Sequence, residues 1–231
     1  NKININDLGY LIGPILNAGG RLGKSQYATE LLSSNNHQVI KDRSNHLIKL
    51  NNKRKEIETL ILSEIDFQKI EKENKDVIIY YNPNINEGLI GIIAARLKEY
   101  FNKPTIVITA SNGLLKGSAR SVNDYNIGLV IKNSLDKNII LNGGGHNMAA
   151  GFTLDKSNLE TFENYILEDF LKSNAVNDNI FIYESEISSF AFNQDFYDNI
   201  KKLEPFGTGN PVPTFMLRDL RIIKPMVLNN K

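Results

Sequence analysis

Between residues 24 and 82 neither glycine nor proline interrupts the chain, and apolar positions recur at helical intervals. Ala28, Leu31 and Leu32 share one face of a short helix predicted over 25–34. From 38 to 73, Ile40, Leu47, Leu50, Ile57, Ile61 and Ile65 repeat near the 3.6-residue period with charged residues between them, which predicts one long helix. Its apolar stripe is thin, and a thin stripe suits a connecting brace better than a core helix. Residues 1–73 are therefore expected to form one segment ending in a brace, with a separate body from 74 onward.

Beyond the brace the period changes. Val77-Ile-Ile-Tyr-Tyr81 is a short β-favouring run, Gly88–Phe101 carries Ile90, Ile93, Ala94, Leu97 and Phe101 on one helical face, and Thr105-Ile-Val-Ile-Thr109 is a second apolar run. Strand, helix and strand in that order predict a β-α-β unit with parallel strands and an α/β body. A glycine at 91 inside this helix costs stability and predicts a close approach of something to the backbone. A further strand is expected over 113–120, a helix over 127–135, a glycine-rich turn, a strand over 151–154 and a helix over 158–171. This body ends near 173. Asn174-Ala-Val-Asn-Asp-Asn179 reads as a linker. The last segment, 174–231, holds a loose strand (181–187), a helix (192–203), a proline-stiffened connector (204–215) and a strand (216–223). It is too short to bury a core of its own.

Composition narrows the function classes. The 231 residues are 41% hydrophobic, with a net charge of +1 and no cysteine. Thiolate chemistry and disulfides are excluded, in keeping with a reducing cytoplasm. No apolar run is long enough to cross a bilayer, and no secretory leader opens the chain, so no membrane partner is expected. The absence of an initiator methionine raises the expectation of a fragment. With so little net charge, any basic surface must be local.

Two stretches carry the candidate chemistry. Asn142-Gly-Gly-Gly-His-Asn-Met-Ala-Ala-Gly151 leaves almost no side chain on its backbone. It suits a turn that approaches a ligand closely, with N–H groups available to an anion and His146 able to donate. The competing reading is a tight packing turn between helix and strand. Lys116-Gly-Ser-Ala-Arg-Ser121 brings two cations and two hydroxyls around a glycine, which is also phosphate chemistry. The candidate binding residues are Lys116, Ser118, Arg120, Ser121, Gly144, Gly145 and His146, joined by Asn17 and Arg21, which flank a small-residue turn near the N-terminus. For Arg21 the residues alone slightly favour a solvated helix end. No metal-ligand cluster, nucleophile elbow, Walker sequence or dinucleotide fingerprint occurs. His146 and Arg120 are left as candidate phosphate stabilisers, in a phosphate-binding module with no evident catalytic engine.

Gly144-Gly-His-Asn-Met-Ala-Ala-Gly151 matches the GGHxxAAG signature of the DHH-associated domain, and Lys116-Gly-Ser-Ala-Arg-Ser121 matches that domain's other phosphate-side motif. Gly13-Pro-x-x-Asn-Ala-x-Gly-Arg-Leu22, Leu50-Asn-x-x-Arg-Lys-x-Ile-Glu58 and Leu203-Glu-Pro-Phe-Gly-x-Gly-Asn-Pro211 complete an ordered set. Together they resemble the RecJ family of single-strand-specific 5′→3′ DNA exonucleases, along essentially the whole chain. The resemblance implies a long connecting helix (to 73), a DHH-associated domain with a mixed sheet flanked by helices (74–173), and the start of an OB-type domain (174–231). It further implies single-stranded DNA as partner, a monomer, and Mn²⁺ or Mg²⁺ bound by a DHH domain preceding residue 1. Arg21, Ser118, Arg120, Ser121 and His146 would face the DNA backbone. Two positions depart from the family pattern: Ile15 stands where an arginine is common, and Ile85-Asn86 where Trp-His is common. The alternatives are a small-substrate phosphodiesterase of the same superfamily and a non-catalytic remnant.

Overall fold

A computed structural model describes residues 3, 5–173, 182–207 and 209–221. Contacts group the chain into two compact units, Tyr10–Asp178 and a smaller one made of Asn1–Gly9 with Asn179–Lys231.

A π-helical turn, Asp7–Ile12, leads into the larger unit's α1 (Gly13–Arg21), followed by α2 (Gln26–Ser33) and α3 (His37–Glu64). Gly19 lets α1 lie against α3: a Cβ there would sit 2.5 Å from the Lys24 carbonyl oxygen and 3.3 Å from a Leu47 methyl. The long helix predicted over 38–73 is two helices. It ends at Glu64, and α4 (Phe67–Glu73) restarts at once because Asp66 leaves the helical conformation and its carboxylate accepts from the Lys69 N–H. An acidic side chain that caps a new first turn outcompetes one more turn of a marginal amphipathic helix. Asp66→Ala is expected to cost about 1 kcal/mol, read as a lower urea midpoint with an unchanged slope. The buried residues of α3, namely Leu47, Asn51, Arg54 and Glu58, include three polar ones, which is why its apolar stripe looked thin.

The sheet that follows has five strands in the order β1-β2-β3-β5-β4. These are β1 (Ile78–Tyr81), β2 (Thr105–Ser111), β3 (Leu114–Arg120), β4 (Asn142–His146) and β5 (Ala149–Leu154). β1 and β2 are parallel across α5 (Ile90–Phe101), as the β-α-β pattern requires, and every other pairing is antiparallel. α6 (Ile127–Asp136) and α7 (Leu159–Lys172) pack on one face of the sheet. The core there runs through Ile106, Ile108, Phe152, Ile131 and Phe162, with the Phe152 and Phe162 rings 4.5 Å apart. α5 covers β2 and β3 on the opposite face, in a core that runs through Leu89, Ile93, Leu97 and Val107.

The glycine run is where the expectation of an anion-binding turn needs correction. Gly143, Gly144 and Gly145 lie in β4, an edge strand paired residue by residue with β5, and only Asn147 and Met148 turn between them. An edge strand gives alternate N–H groups to its one neighbour and turns the others outward, so the run is an extended edge rather than a concave nest. The turn is tied down from outside, since Ser121 N–H donates to the Met148 carbonyl and Ile127 N–H to that of Asn147.

In the smaller unit β6 (Ser185–Glu186) and β7 (Phe215–Met216) pair in parallel, and α8 (Gln194–Lys201) is capped by Asn193. Phe196 meets Phe215 edge-on at 5.0 Å, and Arg218 pairs with Glu186 at 2.6 Å. The strands expected over 181–187 and 216–223 are shorter than the sequence suggests. The whole of the expected linker, together with residue 181 and the end of the last strand at 222–223, lies outside the described residues.

Candidate functional site

Side chains alternate across a strand, so the register states which residues share a face. Leu115, Ala119, Ala150, Phe152 and Leu154 point into the α6–α7 core. The intervening residues face the other way in three cross-strand rows. Arg120, Ala149 and His146 make one row; Ser118, Gly151 and Gly144 the second; Lys116, Thr153 and Asn142 the third. On this face β2 and β3 lie under α5, whereas β5 and β4 present theirs openly. Gly144 has nothing within 4 Å of where a Cβ would stand, and Gly151 meets only the Gly117 carbonyl at 3.8 Å. The middle row is thus a bare strip of backbone flanked by an arginine–histidine row and a lysine–threonine–asparagine row.

At the α5 end of these rows, Arg120 and Ser118 tuck beneath the first turn of the helix. A Cβ at Gly91 would lie 3.0 Å from an Arg120 nitrogen and 3.1 Å from the Ser118 oxygen, which explains the glycine within α5. Arg120 donates to Ser118 Oγ at 3.1 Å and to the Ala119 carbonyl at 2.8 Å. Arg21 enters from the end of α1 and donates to the Gly88 carbonyl at 3.2 Å. Gly88 is required for that approach, because a Cβ would fall 2.2 Å from the Arg21 carbonyl oxygen. A cleft of about 330 Å³ opens there, lined by Gly20, Arg21, Gly23, Asn86, Glu87, Gly88 and Lys116.

The electrostatics of the two arginines point the same way. Burial holds the Arg120 guanidinium below the ordinary arginine range, and the charge of Arg21 depresses it further. Burial likewise lowers Arg21, Arg54 adds to the effect, and Glu58 opposes it. Neither Arg21 nor Arg120 has a carboxylate ion pair among the described residues. Two half-buried like charges with no counter-ion raise the free energy of the empty site, and an anion that binds them relieves that cost.

The candidate residues therefore divide. Arg21, Lys116, Ser118, Arg120, Gly144 and His146 belong to the cleft and the open face. Ser121 does not: it is 1% exposed, and its hydroxyl donates to the Tyr125 carbonyl at 2.6 Å, bracing the loop before α6. Gly145 lies on the opposite face, where a Cβ would be 2.3 Å from the Ala149 carbonyl oxygen; Gly128 of α6 packs directly on it, a Cβ there coming within 2.9 Å of the Gly145 carbonyl carbon. Asn17 is exposed on α1, away from the cleft lining. Arg21 is not the solvated helix end that the residues alone favoured. Sequence reading missed Glu87, whose carboxylate accepts from Lys116 at 2.7 Å and from the Ser111 hydroxyl. A lone glutamate in a turn gives no signal until the register brings Lys116 beside it. Among the described residues no three of His, Cys, Asp or Glu come together, so the residues present do not fit a metal site.

Comparison with known proteins gives this arrangement a context. The DHHA1 domain matches residues 74–172 and the RecJ OB domain residues 183–231. The single-stranded-DNA-specific exonuclease RecJ of Haemophilus influenzae is 34% identical over 220 residues, covering 90% of this chain and 38% of that protein. The Escherichia coli exonuclease of the same name is 35% identical over 178 residues, covering 70% of this chain and 30% of that protein. The chain thus spans less than two-fifths of the length of these relatives. The crystal structure of RecJ in complex with Mn²⁺ from Thermus thermophilus superposes with a TM-score of 0.79 at 24% identity, over 93% of this chain and 32% of that one, which is a likeness of fold.

Proposed function

This chain belongs with the RecJ proteins, whose DHHA1 and OB-type portions it carries, and from that premise we propose that it grips the backbone of single-stranded DNA for a 5′→3′ exonuclease. The observation that carries the reading is the pairing of Arg21 and Arg120, half-buried cations with no carboxylate ion pair among the described residues, at the head of a sheet face stripped to backbone at Gly144 and Gly151. The arginines take a phosphate at the strand's end, with Ser118 donating to the same group. The bare strip lets the following sugar-phosphate chain lie close, flanked by Lys116 and His146. Holding the scissile phosphate in place lowers the entropic barrier to attack upon it. Hydrolysis would draw on Mn²⁺ or Mg²⁺, the ions of the RecJ crystal structures, held by residues other than the ones that grip the strand. The protein works as a cytoplasmic monomer in DNA repair and recombination.

Fluorescence anisotropy with a 3′-labelled oligothymidine, 5′-phosphorylated or 5′-hydroxyl, tests the grip. Tighter binding of the phosphorylated strand is expected. With the two arginines on one phosphate and Lys116 on another, the log–log slope against salt should be about −1.4. Equal binding of both strands, or a slope near zero, would remove the phosphate site. Mononucleotide binding as tight as that of the strand would favour a small-substrate phosphodiesterase.

A further inference from the structure

Glu87 is a carboxylate in a cleft otherwise built for anions. It sits in the turn before α5, where Gly88 N–H donates to Asn86 Oδ1 at 2.8 Å and Leu89 N–H to the Asn86 carbonyl at 2.9 Å. That turn fixes the glutamate's backbone and aims its side chain across the cleft at β3. One oxygen, Oε2, accepts from both Lys116 and Ser111. These are partners a phosphate oxygen would choose, one ammonium and one hydroxyl. The pair is half exposed, with side-chain accessibilities of 39% for Lys116 and 48% for Glu87. Exposed ion pairs contribute little and exchange partners readily.

We infer that Glu87 limits the affinity for strands: it occupies Lys116 in the free protein as a stand-in for phosphate, and an internal phosphate of a bound strand displaces it. The inference rests on the proposed grip of DNA and deepens it. The spacing gives the residue its discriminating power. Lys116 and Arg120 are four residues apart on β3, roughly 13 Å between Cα atoms at the usual rise of about 3.3 Å per residue. A phosphate seated at Arg120 and Ser118 therefore leaves Lys116 for a phosphate further along. A mononucleotide fills only the arginine seat and leaves the Glu87–Lys116 pair closed. A strand reaches the second seat, opens the pair and returns the Glu87 carboxylate to water. Glu87 lowers the affinity for strands and narrows the gap between a strand and its mononucleotide product, so that the strand is not held too tightly to advance.

The test compares Glu87→Gln, Lys116→Met and the double variant by anisotropy with a 5′-phosphorylated, 3′-labelled oligothymidine, and by competition with thymidine 5′-monophosphate. Glutamine keeps the shape and removes the charge on a surface side chain, and thermal melting verifies the fold. Glu87→Gln is expected to tighten strand binding about three- to tenfold at low salt, because the strand no longer has to open an ion pair to reach Lys116. Mononucleotide affinity should gain at most a third of that factor. In the Lys116→Met background the added Glu87→Gln should gain almost nothing. Weaker or unchanged strand binding in Glu87→Gln, alongside normal wild-type binding, overturns the inference and leaves the grip standing. An equal gain for strand and mononucleotide overturns it too, since Glu87 would then act only through the general potential. Failure of the wild type and all variants to bind either ligand overturns the grip and the inference together.

Discussion

Replacing Arg120 with methionine is expected to weaken binding of a 5′-phosphorylated single strand roughly 10- to 100-fold, with little change in melting temperature. A charge-assisted hydrogen bond removed from a partly desolvated site is worth about 1.5–3 kcal/mol, and each 1.4 kcal/mol is tenfold in affinity. The small effect on stability follows from where Arg120 spends its hydrogen bonds. Ser118 and Ala119 are its neighbours on the same strand, so those contacts tie no two elements together. Burial beside Arg21, in contrast, disfavours its charge. Methionine fills the space under Gly91 without that cost and relieves the repulsion on Arg21. A purely structural arginine would give the opposite signature, a melting temperature lower by many degrees and unaltered affinity. Anisotropy and a thermal melt on one preparation separate the two. Arg21→Met should lose comparable affinity but also some stability, because its guanidinium bridges α1 to the turn at Gly88.

How much of this was legible in the sequence depends on the range over which each signal acts. The β-α-β unit, the helices at 127 and 158 and the buried face of α5 are written in local periodicity, and they stand where the pattern puts them. The break at Asp66 is just as local but was masked by an apolar repeat that runs through it; the acidic cap was the readable sign. The buried polar stripe of α3 could not be foreseen from periodicity. Asn51, Arg54 and Glu58 are ordinary surface residues until Glu58 takes Arg54 at 2.7 Å and Arg96 of α5 at 2.9 Å, the latter 38 positions away in sequence. Chemistry in the site behaves likewise. The types Lys, Ser, Arg and His marked phosphate binding, but only the register separates Ser118 from Ser121, or Gly144 from Gly145. Along a strand, one residue's difference in position is the difference between two faces of a sheet.

That parity gives the sharpest test of the glycine run, because its packing and binding readings fall on adjacent residues. Gly145→Ala is expected to destabilise the fold by about 2–3 kcal/mol, lowering the melting temperature by roughly 4–12 °C in a protein of this size. Its Cβ would stand 2.3 Å from the Ala149 carbonyl oxygen and 2.5 Å from the Ala150 Cβ, and strand pairing holds both in place. α6 allows no retreat, since its Gly128 already packs against the Gly145 and His146 backbone. Gly144→Ala adds the same methyl to open space. Its melting temperature should hold or rise slightly, as glycine's conformational freedom in the unfolded chain is reduced. Affinity for single-stranded DNA should instead fall about tenfold, about 1.4 kcal/mol, because the methyl rises from the bare strip along which the backbone lies. If Gly144→Ala binds DNA like the wild type, the run is a packing device throughout, and the phosphate chemistry contracts to the arginines and Lys116. If both variants melt early, β4 is held more tightly than its edge position suggests. Only the crossed result, one variant losing stability and its neighbour losing affinity, gives the two faces of β4 separate work.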